Sequence, residues 1–480
     1  VTTFAVDSLR YWAKRIGIDG FRFDLAATLA RLDGEFTRYH PFLYALRSDL
    51  LLGNLKMIME PWDCGPNGWR TGQFGIPFAE WNDRFRDCTR TFWLTDVERA
   101  RGGETGDMTM QSMATRLCGS ADLFATDPGR GSTASVNYVA CHDGFTTADL
   151  TQYRHKHNEA NGENNRDGSD NNHSVNFGHE GPCSDPIITQ QRERAIMNML
   201  GTLLLSLGTP MLLAGDEFGN SQSGNNNAYA QDNDITWLNW DWMYQTRKTM
   251  QMHRLDTVSR LLSIRKSLGL YHHEEFFTRL TQLGLFKPSS RVQWYLPDGT
   301  TPMDRDWFDT TIRSFAMRLL SQDEVDVLIV INGVDEVRRF TLPSDCSWQC
   351  DWSSATAVGL RPAPGDRLQR IGKNQALRSN WIMSVSEKDN IHQLLKTVQA
   401  SLAEQDKLDL LGATTEHADV LFEDDEQAPG VGADVSATMS AASTVHGASA
   451  SARDGGNATV NGSAVWTMPA LSISVMRRLQ

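Results

Sequence analysis

Between Thr2 and Gly17 the apolar residues Ala5, Leu9, Trp12, Ala13 and Ile16 recur at steps of three and four, which lays them along one stripe of a helix. Gly17 closes that helix, and Ile18–Leu25 reads as a strand. The succession repeats. Pro41–Leu52 reads as a helix and Leu55–Glu60 as a strand. Phe78–Trp81 is a short strand before a helix around Arg84–Leu94. Ser135–Asp143 reads as a strand, Gln190–Leu207 as a helix, Pro210–Ala214 as an apolar strand and Gln251–Lys266 as a helix. Strands alternating with helices predict parallel β/α architecture.

From about Leu285 the texture changes. Val292–Leu296, Ser314–Leu320, Val325–Asn332, Val337–Leu342 and Leu471–Leu479 are short β-rich runs that predict an antiparallel domain. Two domains are therefore expected, at residues 1–284 and 285–480. The second carries a helical segment at Asp389–Leu411 and a flexible Ala/Gly/Ser/Thr-rich insert at Gln427–Ala464. Ala195–Ala214 runs without a charge for the length of a membrane span. Asn198, Gly201, Gly208 and Pro210 interrupt it, so it reads as a buried helix and a buried strand separated by Pro210, and no membrane segment is expected.

Charge narrows the partners. Lys and Arg number 46 against 59 Asp and Glu, a net charge of −13. This argues against nucleic acid, anionic membrane surfaces and polyanionic substrates, and favours a neutral ligand. The 14 Trp offer flat faces that suit sugars. Seven scattered cysteines without a CxxC pair read as free thiols of a reducing compartment, the cytoplasm, and Cys346 and Cys350 as part of a strand context. The chain opens with Val inside a helix, so further sequence is expected to precede it.

Three strand ends carry candidate chemistry. In Asp19-Gly20-Phe21-Arg22-Phe23-Asp24 the side chains alternate, placing the two Phe on one face and Arg22 with Asp24 on the other. Arg22 can hold Asp24 ionised as a nucleophile; a buried ion pair is the structural alternative. In Met57-Ile58-Met59-Glu60-Pro61-Trp62-Asp63 an apolar approach can raise Glu60 into the range of a proton donor, whereas Asp63 reads as a loop or capping residue. Trp62 is either a sugar platform or core. In Asn137-Tyr138-Val139-Ala140-Cys141-His142-Asp143-Gly144 a strand ends at Asp143, with His142 beside it as a donor to a substrate hydroxyl.

Three carboxylates at the ends of separate β/α strands converge on one face of a barrel. Here the chain resembles the α-amylase superfamily of glycoside hydrolases (family 13), and within it the bacterial glycogen debranching enzymes and isoamylases. Ala79-Glu80-Trp81-Asn82-Asp83-Arg84, His155–Gly168, Gly208–Gly219, Gly224–Tyr229 and Asp234-Ile235-Thr236-Trp237 carry the resemblance further, densely over residues 1–268 and weakly beyond. It implies an α/β fold, the C-terminal part of a TIM (β/α)8 barrel (about strands 4–8) followed by an antiparallel β-sandwich.

The resemblance further implies that Asp24 is the nucleophile, Glu60 the acid/base and Asp143 the transition-state carboxylate, with Arg22 beside the nucleophile and His142 binding sugar. The reaction is then retaining hydrolysis of α-1,6 branches in glycogen or limit dextrin, with no organic cofactor. The family's earlier Asp/His strand-end motif and N-terminal β domain have no counterpart here, so the isolated fragment is expected to be inactive. Another α-glucan hydrolase or glucanotransferase of the superfamily and a non-catalytic glucan-binding fragment are the alternatives. Asp167-Gly168-Ser169-Asp170-Asn171 loosely resembles a calcium loop but lacks its terminal Glu. It is expected to face substrate instead. His155 and His157 have no third ligand in phase, and no metal site is expected.

Overall fold

The computed structural model describes residues 1–246, 249–268, 276, 290–321, 326–356, 458–460 and 463–478. Five parallel strands form one sheet, and each lies beside the next in the sequence. They are β1 (Gly20–Phe23), β4 (Lys56–Met59), β5 (Ala79–Asn82), β6 (Ser135–Asn137) and β7 (Thr209–Pro210). A hairpin of β2 (Arg31–Leu32) and β3 (Glu35–Phe36) occupies the loop after β1. Phe23 lies opposite Met59, and Met59 opposite Glu80, so the residues that follow β1 and β4 leave the sheet side by side.

Helices α1 (Thr2–Tyr11) and α2 (Pro41–Ser48) cover β1 and β4. Phe23, Met57 and Met59 meet Leu43 and Leu46 there, with Phe21 packed at the margin, so the face that carries the two Phe is the one turned to the helices. Helix starts follow local chemistry. Pro41 opens α2, and His40 Nδ1 accepts the Phe42 N–H at 3.2 Å. Asn82 ends β5 and caps α3 (Asp83–Arg90) by accepting from Phe85 N at 2.9 Å. Beyond it lie α4 (Asp96–Arg101), α5 (Met110–Leu117) and α6 (Ala121–Phe124). Asp185 caps α7 (Pro186–Leu205), and Thr249 caps α8 (Met250–Ser267). α7 is buried almost all round, which accounts for its charge-free stretch. Among the described residues no helix is long and apolar enough to cross a membrane.

Two predicted strands are shorter than expected. The run Ser135–Asp143 stops at Asn137, and Pro210–Ala214 keeps only its first residue, joined by Thr209. On one side of β6 the partner β5 ends at Asn82, where the backbone turns into α3. On the other side Met211 N still donates to Asn137 O at 2.7 Å, and the ladder stops there. Asp143 therefore sits in a turn beyond the strand. Helix α5 was not expected, although Met110, Met113, Ala114 and Leu117 are spaced as one buried helical face.

The second region contains a sheet in the order β12-β15-β10-β9-β8. Its strands are β8 (Ser290–Tyr295), β9 (Ser314–Ser321), β10 (Asp326–Asn332), β12 (Trp348–Ser353) and β15 (Ser472–Arg478), all antiparallel. A smaller sheet of β11 (Arg338–Thr341), β14 (Ser463–Met468) and β13 (Ala458–Val460) packs on it through Phe340, Leu342 and Met468. The predicted helix at Asp389–Leu411 and most of the insert Gln427–Ala464 lie outside the described residues. The insert's last residues pair instead as β13 and the start of β14. The intervening Asn461-Gly462 is the tight-hairpin dipeptide that could have announced them.

Helix α7 ties the two regions together. Arg194 Nη1 donates to Ala470 O at 3.1 Å, and Asn198 Nδ2 to Leu471 O at 2.8 Å. A Cβ at Gly201 would come within 2.8 Å of the Trp352 ring, so this contact needs glycine. The buried Arg313 reaches Asp96 at 2.9 Å and covers the Phe92 ring.

Candidate active site

Arg22 stands near the end of β1, and its guanidinium bridges two carboxyl groups. Nη1 lies 2.6 Å from Asp24 Oδ1, and Nη2 lies 2.9 Å from Glu60 Oε1. The plane of the guanidinium covers the indole of Trp81 at 4.4 Å, which fixes its orientation. The two carboxyls meet opposite surroundings. Asp24 exposes 70% of its side chain and Glu60 only 3%. Burial pushes the Glu60 carboxyl above the ordinary range, and the neighbouring Asp24, by charge and hydrogen bond, raises it further. The Leu25 N–H and Arg22 oppose this without cancelling it.

The backbone after Asp24 is bent to serve Glu60. Leu25 has φ +41°, a left-handed conformation unfavourable for a side chain of this kind. It turns the Leu25 N–H onto Glu60 Oε2 at 2.5 Å. Ala26 N donates to Glu60 O at 2.9 Å, and Glu60 N to Phe23 O at 3.0 Å. Strand β4 thus delivers Glu60, and the turn after β1 clamps it.

Trp81 also joins the third motif to the site. The His142 ring lies 5.7 Å from it, edge-on, and His142 Nε2 is 3.3 Å from Asp143 Oδ2. His142 and Asp143 are both exposed. Trp62 is half-buried under Trp69, the rings stacked at 5.2 Å, and lies 6.4 Å from Trp81. The exposed indole is therefore that of Trp69, held by a bond from its Nε1 to Asp83 Oδ2 at 2.6 Å. Sequence reasoning singled out neither Trp69 nor Trp81. Trp81 stood in a quoted motif without a role; Trp69 lies in a Gly-bearing loop seven residues past Trp62, with no periodic signal.

Other carboxyls near the site prove structural. Asp63 receives Arg31 through Nε at 2.6 Å and Nη2 at 2.8 Å, and this pairing holds it down at about 2. It is a loop clamp, in line with the sequence. Glu80, wholly buried, pairs with Arg130 and accepts from Gly72 N and Phe74 N.

The Asn-rich loop is stitched to the Gly224–Asn227 run rather than left open. Asn158 Nδ2 donates to Asn226 Oδ1, and Asn226 N to Asn158 Oδ1, both at 2.9 Å. Asp167 Oδ2 accepts from Asn161 and Asn227, so amide donors meet an oxygen that a calcium loop would turn to the ion. Asn226 O in turn accepts Gly144 N at 2.9 Å, anchoring the turn that follows His142 and Asp143. His157 lies on Glu180 at 3.2 Å, and among the described residues no three His, Cys, Asp or Glu gather as a metal site. The seven cysteines are free thiols.

No family model matches the chain. It is 42% identical over 338 residues to a glycogen debranching enzyme of Erwinia tasmaniensis, covering 70% of this chain and 46% of that one. It is 49% identical over 307 residues to a glycogen debranching enzyme of Pectobacterium atrosepticum, covering 64% of this chain and 43% of that one. The chain thus spans under half the length of these curated relatives. Among solved structures, a pullulanase type I from Bacillus subtilis complexed with maltose aligns at a TM-score of 0.49 and 20% identity, over 73% of this chain and 42% of that one.

Proposed function

We propose that this chain carries the catalytic carboxyls of a glycogen debranching enzyme of the α-amylase superfamily, which hydrolyses α-1,6 branch linkages of an α-glucan with retention. The observation that carries the reading is the Arg22 bridge. It joins an exposed carboxyl at Asp24 to a buried one at Glu60 that burial pushes above the ordinary range, on adjacent strands of a chain 42–49% identical to glycogen debranching enzymes. The five parallel strands in chain order are then strands four to eight of a (β/α)8 barrel.

In this reading Asp24 attacks the anomeric carbon while Glu60 gives its proton to the departing O6 of the branched glucose. A covalent glycosyl ester on Asp24 results. Forming it removes the Asp24 negative charge, one of the causes that raise Glu60. Glu60, now more acidic, takes a proton from water, and the hydroxide oxygen bonds to the anomeric carbon and releases Asp24. His142 and Asp143 hold ring hydroxyls, and the exposed Trp69 face offers a stacking platform. Two carboxyls and water account for both steps without an organic cofactor or a metal. The seven free thiols support a cytoplasmic setting.

The test joins this chain to the preceding portion of the Erwinia tasmaniensis relative and assays new reducing ends from glycogen limit dextrin. The joined protein should debranch, and the chain alone should be at least about a hundredfold slower, because its site lacks neighbouring support. A joined, folded protein that leaves limit dextrin intact would overturn the reading.

A further inference from the structure

Trp81 stands between the groups of the carboxyl site, and the register of the sheet puts it there. Arg22 of β1 lies opposite Ile58 of β4, and Ile58 opposite Ala79 of β5. Partners in a parallel ladder point to the same face, and so do residues two apart on one strand. Arg22, Ile58, Ala79 and Trp81 therefore share a face. Packing then fixes the indole. It is 6% exposed, Val136 lies opposite it on β6, and the Tyr138 and Trp62 rings close on it with centres at 5.6 and 6.4 Å.

Arg22 has little else to hold it. Among the described residues its one aligned hydrogen bond runs from Nη1 to Asp24 Oδ1, on a side chain that is 70% exposed. Nη2 comes within 2.9 Å of Glu60 Oε1 without an aligned hydrogen bond, and Nε, buried like Nη2, meets no acceptor among the described residues. A guanidinium so sparsely bonded is aimed by the surface beneath it, and that surface is the Trp81 ring at 4.4 Å. The same indole meets the His142 ring edge-on at 5.7 Å. The charged groups that act on Glu60 are Arg22 and Asp24; Tyr138 and His142 face Trp81, and Arg86 lies over the Tyr138 ring at 5.7 Å. We propose that Trp81 is a positioning residue of the debranching reaction: its face aims Arg22 at Asp24 and Glu60, and its edge seats His142. The roles of those four groups rest on the debranching reading; their placement by the indole rests on the geometry.

Trp81→Leu in the joined protein tests this. Its kcat/KM on glycogen limit dextrin should fall about 30-fold or more, since a displaced Arg22 misplaces both carboxyls. The basic limb of its pH profile, set by the proton on Glu60, should move up by about half a pH unit or more, because Arg22 is one of the influences that lower that carboxyl. Trp81→Phe keeps an aromatic face and should lose no more than about fivefold. Val136→Ala thins the same buried cluster and should lower the thermal midpoint while leaving the limb in place. The Arg22 Nε–H proton resonance, identified by its loss in Arg22→Lys, should lie upfield of that of free arginine through the ring current of the indole. Thermal unfolding shows whether Trp81→Leu folds; should it not, the resonance decides alone. The inference falls if folded Trp81→Leu keeps its basic limb in place, whatever its rate, or if the Arg22 resonance sits at the free-arginine position. An upfield resonance in a joined protein that cannot debranch would sink the catalytic reading and leave the hold of the indole on Arg22 standing. Debranching with an unshifted resonance would sink the inference only.

Discussion

Asp24 and Glu60 differ less in sequence context than in what surrounds them. Both close a short apolar strand, and that much was legible, because strand alternation fixes which residues share a face. The burial of Glu60 was legible in direction from its apolar approach. The Leu25 clamp was not, since nothing in the sequence marks a leucine for a left-handed backbone. Asp143 was misplaced at a strand end, because the length of a ladder depends on partners remote in sequence. In the joined protein, Glu60→Gln should lower debranching by about 10²–10⁴-fold but largely spare the glycosylation step for a maltosyl fluoride, whose leaving group needs no proton. Asp24→Asn should lose both, and fluoride-release kinetics separate the two cases. A second residue-scale expectation concerns Asp216, buried in the Gly208–Gly219 motif and raised by burial to about 7 from an ordinary 3.8. The folded state then holds a proton that the unfolded chain releases between about pH 4 and 7, so this group makes stability fall as pH rises through that window. Asp216→Asn should flatten the fall, gaining up to about 4 kcal/mol on the unaltered chain at pH 8 and little at pH 4. Urea unfolding at both values checks it.

At the scale of elements, the long helices α7 and α8, which start at the caps Asp185 and Thr249, were readable to within a few residues. The loops were not, because their order comes from side chains meeting across dozens of residues. The Asn158–Asn226 exchange is the leading case: each segment looks solvated in sequence, and only their pairing buries them. Asn158→Leu leaves Asn226 N–H and Oδ1 short of a partner, and should cost about 2–4 kcal/mol in urea unfolding. It should also loosen the turn after Asp143, visible as faster amide exchange at Gly144. Gly219 makes a comparable demand. Its φ is +82°, and a Cβ there would fall 1.6 Å from Arg254 Nη1, displacing the arginine from its buried pairing with Glu193. Gly219→Ala should therefore destabilise by about 3 kcal/mol or more, measured the same way.

Across the whole molecule, the succession of a parallel sheet and a later antiparallel sheet was legible from the change of texture along the chain. The junction of α7 with the later strands was not, since it is made by residues remote in sequence. Among the described residues β1 pairs only with β4, and β7 only with β6, so the parallel sheet has two edges. Beside the first edge, α1 and the turn after it expose Phe4, Tyr11, Trp12 and Ile16. Such edges and apolar faces recruit other chains. The chain by itself should self-associate at micromolar concentration in sedimentation velocity. Phe4→Ser with Ile16→Lys should shift it toward monomer without lowering its thermal midpoint, because neither side chain is buried.

The position of β15 sets an order in time. It lies in the middle of its sheet, between β12 and β10, yet it is the last strand of the described chain. Strand β10 ends at Asn332, roughly 140 residues earlier, and at ordinary rates of synthesis about 7–30 s separate their emergence from a ribosome. Through that interval β10 and β12 face each other across a missing strand, and the carbonyls of Ala470 and Leu471 that hold Arg194 and Asn198 do not yet exist. A stop codon at position 470 would therefore spare every residue of the carboxyl site and still leave a protein that a cell's proteases remove.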